Sequence, residues 1–177
     1  MKGGQPQLQT KQGYEDAVNW AVGTGITGGT SATTFDPNGI CTRAQAVTFL
    51  WRAAGSPAPV STAMPFTDVP AGSYYHDAVL WAIENNITNG TSDTTFSPNA
   101  NCSRRQIVTF LWRSQKSPFA AAANPFTDVA ADAYYTDAVL WAVKEGVTAG
   151  TTAITFSPSA DCTRARIVTF IHRALAD

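Results

Sequence analysis

The sequence predicts a mainly α-helical protein built from three helix-loop-helix repeats, and three observations predict it. One block recurs three times in a single frame, at offsets of 61 and then 60 residues. Each block holds two stretches with apolar residues at three- and four-residue spacing, the signature of a helix face. Residues that start and stop helices bound those stretches.

The recurrence is read directly. Asp16-Ala17-Val18-Asn19-Trp20 returns as Asp77-Ala78-Val79-Leu80-Trp81 and Asp137-Ala138-Val139-Leu140-Trp141. Ile26-Thr27-Gly28-Gly29-Thr30 returns as Ile87-Thr88-Asn89-Gly90-Thr91 and Val147-Thr148-Ala149-Gly150-Thr151. Phe35-Asp36-Pro37 and Cys41-Thr42-Arg43 each have two further copies, ending at Phe156-Ser157-Pro158 and Cys162-Thr163-Arg164. Pro-, Ala- and Ser-rich connectors separate the copies, from Ala53 to Pro65 and from Gln115 to Pro125. The repeats therefore span residues 12–54, 66–115 and 126–175, with residues 1–11 as a linker. Repeats two and three open on Phe-Thr-Asp-Val, at Phe66 and Phe126, and repeat one lacks this opening.

In the first helix of repeat two, Ala78, Val79, Ala82 and Ile83 form one stripe, running on to Ile87. Its stop is Gly25, Asn86 or Gly146, residues that tolerate a left-handed cap. A Gly- and Thr-rich loop follows, with a short extended piece expected in the Thr run. The second helix starts after Thr42, Ser103 or Thr163 as N-cap. Gln45 and Gln106 three residues on complete capping boxes, while Arg166 leaves the third incomplete. A lone unit this small buries too little apolar surface to fold alone, and three together bury enough.

Composition narrows the function. Of 177 residues, 44% are hydrophobic and 14% charged, which excludes a disordered chain. Twelve basic against thirteen acidic side chains leave no excess for general nucleic-acid binding. No apolar run is long enough to insert in a membrane. Met1 to Thr10 lack a signal-peptide core, so an export signal, if there is one, is expected outside this chain.

Cys41, Cys102 and Cys162 each precede an N-cap, where a side chain packs on the fourth helical residue as a staple. Buried thiols are the expected reading, with no metal and no cofactor. The tryptophans lie at helical spacing beside Val and Leu and read mostly as core. Arg43, Arg104 and Arg164 stand at the first helical position, where the macrodipole disfavours a cation. Removing one should therefore cost little stability. A cation there calls for an anion. An external carboxylate or phosphate held with the free N–H groups of the helix start is one reading. An internal salt bridge to Asp68 and Asp128, or to Asp16, Asp77 and Asp137, is the other, and spacing alone does not separate them. Arg52, Arg113 and Arg173 end the second helices, where a cation suits the dipole. His76 and His172 sit at unrelated repeat positions, and no catalytic triad, zinc spacing or phosphate loop is present, so no enzyme is expected.

These motifs resemble the S-layer homology domain, at Phe66–Val69, Tyr74–Ala82, Ile87–Thr91, Phe96–Pro98 and Thr42–Gln45. The resemblance implies one pseudo-threefold, three-pronged unit with a central helical bundle. It implies non-covalent anchoring of a bacterial surface protein to secondary cell-wall polysaccharide, typically pyruvylated, bound in grooves between repeats. The location implied is extracellular, at the cell wall. Arg43, Arg104 and Arg164 would then bind the anion, with Gly29, Gly90 and Gly150 as close-approach loop positions. The family's usual Thr-Arg-Ala-Glu reads here as Thr-Arg-Ala-Gln, Ser-Arg-Arg-Gln and Thr-Arg-Ala-Arg. A module for self-association or protein docking, keeping the fold without the sugar site, is the alternative.

Overall fold

A computed structural model describes residues 13–176. It is mainly helical: α1 (Glu15–Gly23), α2 (Arg43–Ala53), α3 (His76–Glu84), α4 (Arg104–Ser114), α5 (Thr136–Lys144) and α6 (Arg164–Leu175). The position equivalent to the Phe-Thr-Asp-Val opening of repeat one falls at residues 5–8, outside the described residues.

The first helices stop as their sequence predicts. Gly25, Asn86 and Gly146 all have positive φ, between 55° and 77°. The next residue donates back to a carbonyl five residues earlier at 2.8 Å, Ile26 to Ala21, Ile87 to Ala82 and Val147 to Ala142. This is the Schellman closure, and its apolar partner (Ile26, Ile87 or Val147) is fully buried. At the second helices, Gln45 Oε1 accepts from Thr42 N–H at 3.0 Å and Gln106 Oε1 from Ser103 N–H at 2.9 Å. At α6 only the Thr163 hydroxyl half is present, accepting from Arg166 N–H.

The helices pack between repeats more than within them. α2, α4 and α6 contact one another at the centre. Each first helix lies on the second helix of the preceding repeat: α3 on α2, α5 on α4, and α1 on α6, so the order closes on itself. Cys41, Cys102 and Cys162 pass a cyclic set of backbone bonds. Cys41 N–H donates to Cys162 O, Cys102 N–H to Cys41 O and Cys162 N–H to Cys102 O, at 2.8–2.9 Å. One apolar core runs through all three repeats and includes these cysteines with Ile107 and Ile167.

The Thr-rich loops differ from expectation. Among the described residues no strand forms, only isolated bridges such as Thr42 to Asn101. Hydroxyls close the loop instead: Thr91 Oγ1 meets Thr95 Oγ1 at 3.0 Å and Ser97 Oγ at 2.6 Å. The Asp of each Phe-Thr-Asp-Val opening locks its own loop. Asp68 accepts from Phe96 and Ser97 N–H, and Asp128 from Phe156 and Ser157 N–H, each at 2.8 Å.

Candidate functional site

Each first-position arginine crosses into the next repeat. Arg43 Nε donates to Phe96 O at 2.9 Å, Arg104 Nε to Phe156 O at 2.7 Å and Arg164 Nε to Phe35 O at 2.9 Å. Their guanidinium centres lie 4.6–4.9 Å from those same phenylalanine rings. A second ring stands 5.4–5.5 Å away, Phe110, Phe170 or Phe49 in turn. All three side chains are at most 5% exposed. Ring faces and carbonyl oxygens are both negative, so this collar answers the unfavourable dipole without a carboxylate.

The helix-start N–H groups are committed as well. Arg43 N–H donates to Ala100 O and Ala44 N–H to Pro98 O; Arg104 and Arg105 use Ala160 and Pro158, and Arg164 and Ala165 use Gly39 and Pro37. These amides are thus not free for a ligand, contrary to the sequence-based expectation. What stays uncommitted is guanidinium. Nη2 of Arg43 and of Arg164 is buried and makes no hydrogen bond among the described residues. Nη2 of Arg104 donates to Thr148 Oγ1 at 3.3 Å.

Among the described residues no carboxylate lies within 4 Å of these arginines. Among the described residues the sole contact at ion-pair distance joins His76 to Asp77. Asp68 and Asp128 are engaged by backbone amides as described, while Asp16, Asp77 and Asp137 are exposed. Burial lowers the pKa of Arg43, and that of Arg104 to about 10, so both remain cations at neutral pH.

Beside Arg43 opens a cavity of about 350 Å³ between repeats. Its wall takes Arg43 from repeat one, Thr88, Gly90, Gln106 and Arg113 from repeat two, and Tyr134 from repeat three. Arg113 Nη1 donates to Ile87 O at 3.2 Å, and Arg52 and Arg173 make the same bond to Ile26 and Val147. These cations therefore tie helix end to loop. Tyr134 is 60% exposed and rests edge-on against Tyr135, as Tyr74 does against Tyr75. Neither tyrosine was singled out as a site residue from sequence. The signal was the Tyr-Tyr doublet, present in repeats two and three and replaced by Gly13-Tyr14 in repeat one.

Gly29, Gly90 and Gly150 have φ of 81°, 82° and 92°. A Cβ at Gly90 would sit 2.5 Å from the Phe66 ring and from Thr95 O, and one at Gly150 2.6 Å from the Phe126 ring. Loop packing thus already requires glycine here, whatever else approaches.

The thiols are fully buried and unpaired with one another. Burial raises Cys41 to about 12 and Cys162 to about 11, and it raises Cys102 well above its ordinary value. They are held protonated, as inert core groups are. Trp81 and Trp141 are buried. Trp51 and Trp112 are half-buried and donate Nε1–H to the connector carbonyls of Pro57 and Pro118 at 2.9 Å.

The fold is a cyclically packed helical-repeat module with a buried arginine at each crossing between repeats, and beside Arg43 that crossing opens into a cavity. The S-layer homology domain matches residues 9–47, 65–108 and 125–165, more than half of the chain. The chain therefore belongs to the S-layer homology domain family, a family of surface-anchoring modules. It is also 33% identical over 100 residues to a surface-layer 125 kDa protein of Lysinibacillus sphaericus. That match covers 56% of this chain and 8% of the relative's length. Among the described residues no helix is long and apolar enough to cross a membrane.

Proposed function

We propose that this chain anchors the protein that carries it to the outside of a bacterial cell. It does so by binding secondary cell-wall polysaccharide through an acidic substituent such as a pyruvate ketal. Arg43, Arg104 and Arg164 supply the positive charge in the grooves between repeats, and the Gly29, Gly90 and Gly150 loops form one wall. The observation that carries this reading is the buried Nη2 of Arg43, a residue lining the cavity, which has no acceptor and no carboxylate within 4 Å among the described residues. A buried charged donor left unpaired is costly, and a ligand carboxylate would offset that cost. Tyr134 and Tyr74 offer aromatic faces on which a sugar ring can stack. The chemistry is recognition, with no bond made or broken.

The test is co-sedimentation of the full chain with purified cell walls, before and after the secondary polymer is stripped. Retention on native walls and release from stripped walls is expected. Equal retention on both would favour protein docking over glycan binding.

A further inference from the structure

Among the described residues, the large apolar side chains left on the surface are held by their backbone, with one exception. Val22 lies within α1, and Ile40 forms a bridge to Thr163. Tyr74 and Tyr134 sit in hydrogen-bonded turns, where His76 N–H donates to Ser73 O and Thr136 N–H to Ala133 O. Ile154 O accepts from Thr127 N–H at 2.9 Å, and Val60 N–H donates to a Glu84 carboxylate oxygen at 3.1 Å. Phe119 is the exception. It is 85% exposed, and among the described residues no hydrogen bond reaches the backbone from Phe119 to Ala123.

The two connectors differ for a physical reason. In the first, Glu84 accepts from both Val60 N–H and Ser61 N–H, Ser61 Oγ accepts from Ala63 N–H, and Met64 packs on the core. In the second, Ala121 and Ala122 stand at the register of Val60 and Ser61, and Lys144 at that of Glu84. A lysine has no acceptor to offer an amide. The second connector is fixed only on either side of the free stretch. Trp112 Nε1–H donates to Pro118 O at 2.9 Å, and Asn124 Nδ2 donates to Val129 O at 2.7 Å. Between these anchors Ala120 rests on the core, while Ala121 to Ala123 are exposed. Exposed segments with small residues and an uncommitted backbone are where nicking concentrates. An extended peptide docks on a partner through its main-chain hydrogen bonds, which requires groups that the fold has not already used.

We propose that the Phe119–Ala120 bond is a site of limited proteolysis, cut by an endopeptidase that takes an aromatic side chain on the acyl side of the scissile bond. Water adds across the amide, leaving a carboxylate on Phe119 and an ammonium group on Ala120. The nick falls between the two anchors and severs neither. The piece that begins at Ala120 stays seated on both neighbours. Its α5 packs on α4 and its α6 on α1, while Arg104 and Arg164 cross those junctions to Phe156 O and Phe35 O. The cut thus removes the covalent link between repeats two and three without opening the closed set of repeats. This inference rests on the fold alone and is independent of what the grooves bind.

Chymotrypsin in limiting amount, added to the full folded chain, is the probe. Mass spectrometry over time should show one first cut, giving residues 1–119 and 120–177. The two pieces should elute together at the position of the intact chain in gel filtration and keep its helical circular dichroism. Phe119→Ala should slow that cut by about a hundredfold, because the aromatic pocket of the protease loses its occupant. Subtilisin, which accepts many side chains, should also cut the second connector first. Glu84→Ala frees the amides of Val60 and Ser61 and should bring subtilisin cleavage to the first connector as well. A first cut at Tyr74, at Tyr134 or in a Thr-rich loop would overturn the proposal. So would an unchanged rate in F119A, pieces that separate in gel filtration, or a first connector that stays intact in E84A.

Discussion

An arginine at the first position of a helix opposes the macrodipole, so from sequence its removal reads as nearly neutral for stability. The structure reverses that expectation. Arg43 is 3% exposed, lies between Phe96 and Phe110 and bonds Phe96 O in the neighbouring repeat. Loss of the stacking and the charge-assisted bond in Arg43→Ala should cost about 2 kcal/mol. The melting temperature should fall by roughly 4–8 °C, read by calorimetry. Repeat position and helix start were legible because both are local. The aromatic collar was not, since Phe96 lies 53 residues away and only the packed repeats bring it there. A still larger separation in sequence hid Tyr134 from the cavity beside Arg43. Cysteine burial was legible, and it has a pH consequence. Burial raises folded Cys41 to about 12 and Cys162 to about 11, against an ordinary value of 9.0, and raises Cys102 in the same direction. Above pH 9 the unfolded chain loses protons that the folded chain keeps, so stability falls as pH rises. Each thiol should contribute a loss of about 1.4 kcal/mol per pH unit between pH 9 and its folded value. Denaturant midpoints from pH 8 to pH 10 should decline steeply in the native chain and less in a variant with all three cysteines changed to valine. Equal slopes would contradict the burial account.

At the scale of elements, the helix ends were the most readable feature, because Gly or Asn at a stop has one local meaning. The Thr-rich loops were the least. Strand propensity suggested an extended piece, but hydroxyl bonds within the loop satisfy its backbone without a partner strand. Two substitutions probe a loop and a helix end in opposite directions. Gly90→Ala places a methyl group against the Phe66 ring and Thr95 O at φ of 82°, and should destabilise by about 2 kcal/mol or more. Lys116 follows α4 with φ of 67°, where repeat one has Gly55 with φ of 90°. Lys116→Gly relieves a left-handed lysine and should stabilise by about 1 kcal/mol. Urea denaturation measures both. A neutral Gly90→Ala would mean that Phe66 moves aside freely.

The whole molecule is held between repeats. α3 packs on α2 and α4 on α5, so a fragment of residues 66–115 loses both neighbours. Such a fragment should show little helix by circular dichroism, while the full chain melts in one cooperative transition. An independent sharp melt of the fragment would refute this. The same interdependence places the Arg43 cavity at a junction of all three repeats, and so would tie the proposed binding to their closed assembly. The central claim is that buried guanidinium groups at the junctions between repeats meet the acidic substituent of the wall polymer. Nitrogen-15 NMR of the arginine side chains, during titration with depolymerised native wall polysaccharide, tests it most directly. The account predicts that Arg43 and Arg164 side-chain resonances shift and saturate together, and that removal of the acidic substituent abolishes the shift. Polymer that binds the chain while those resonances stay unmoved would contradict it.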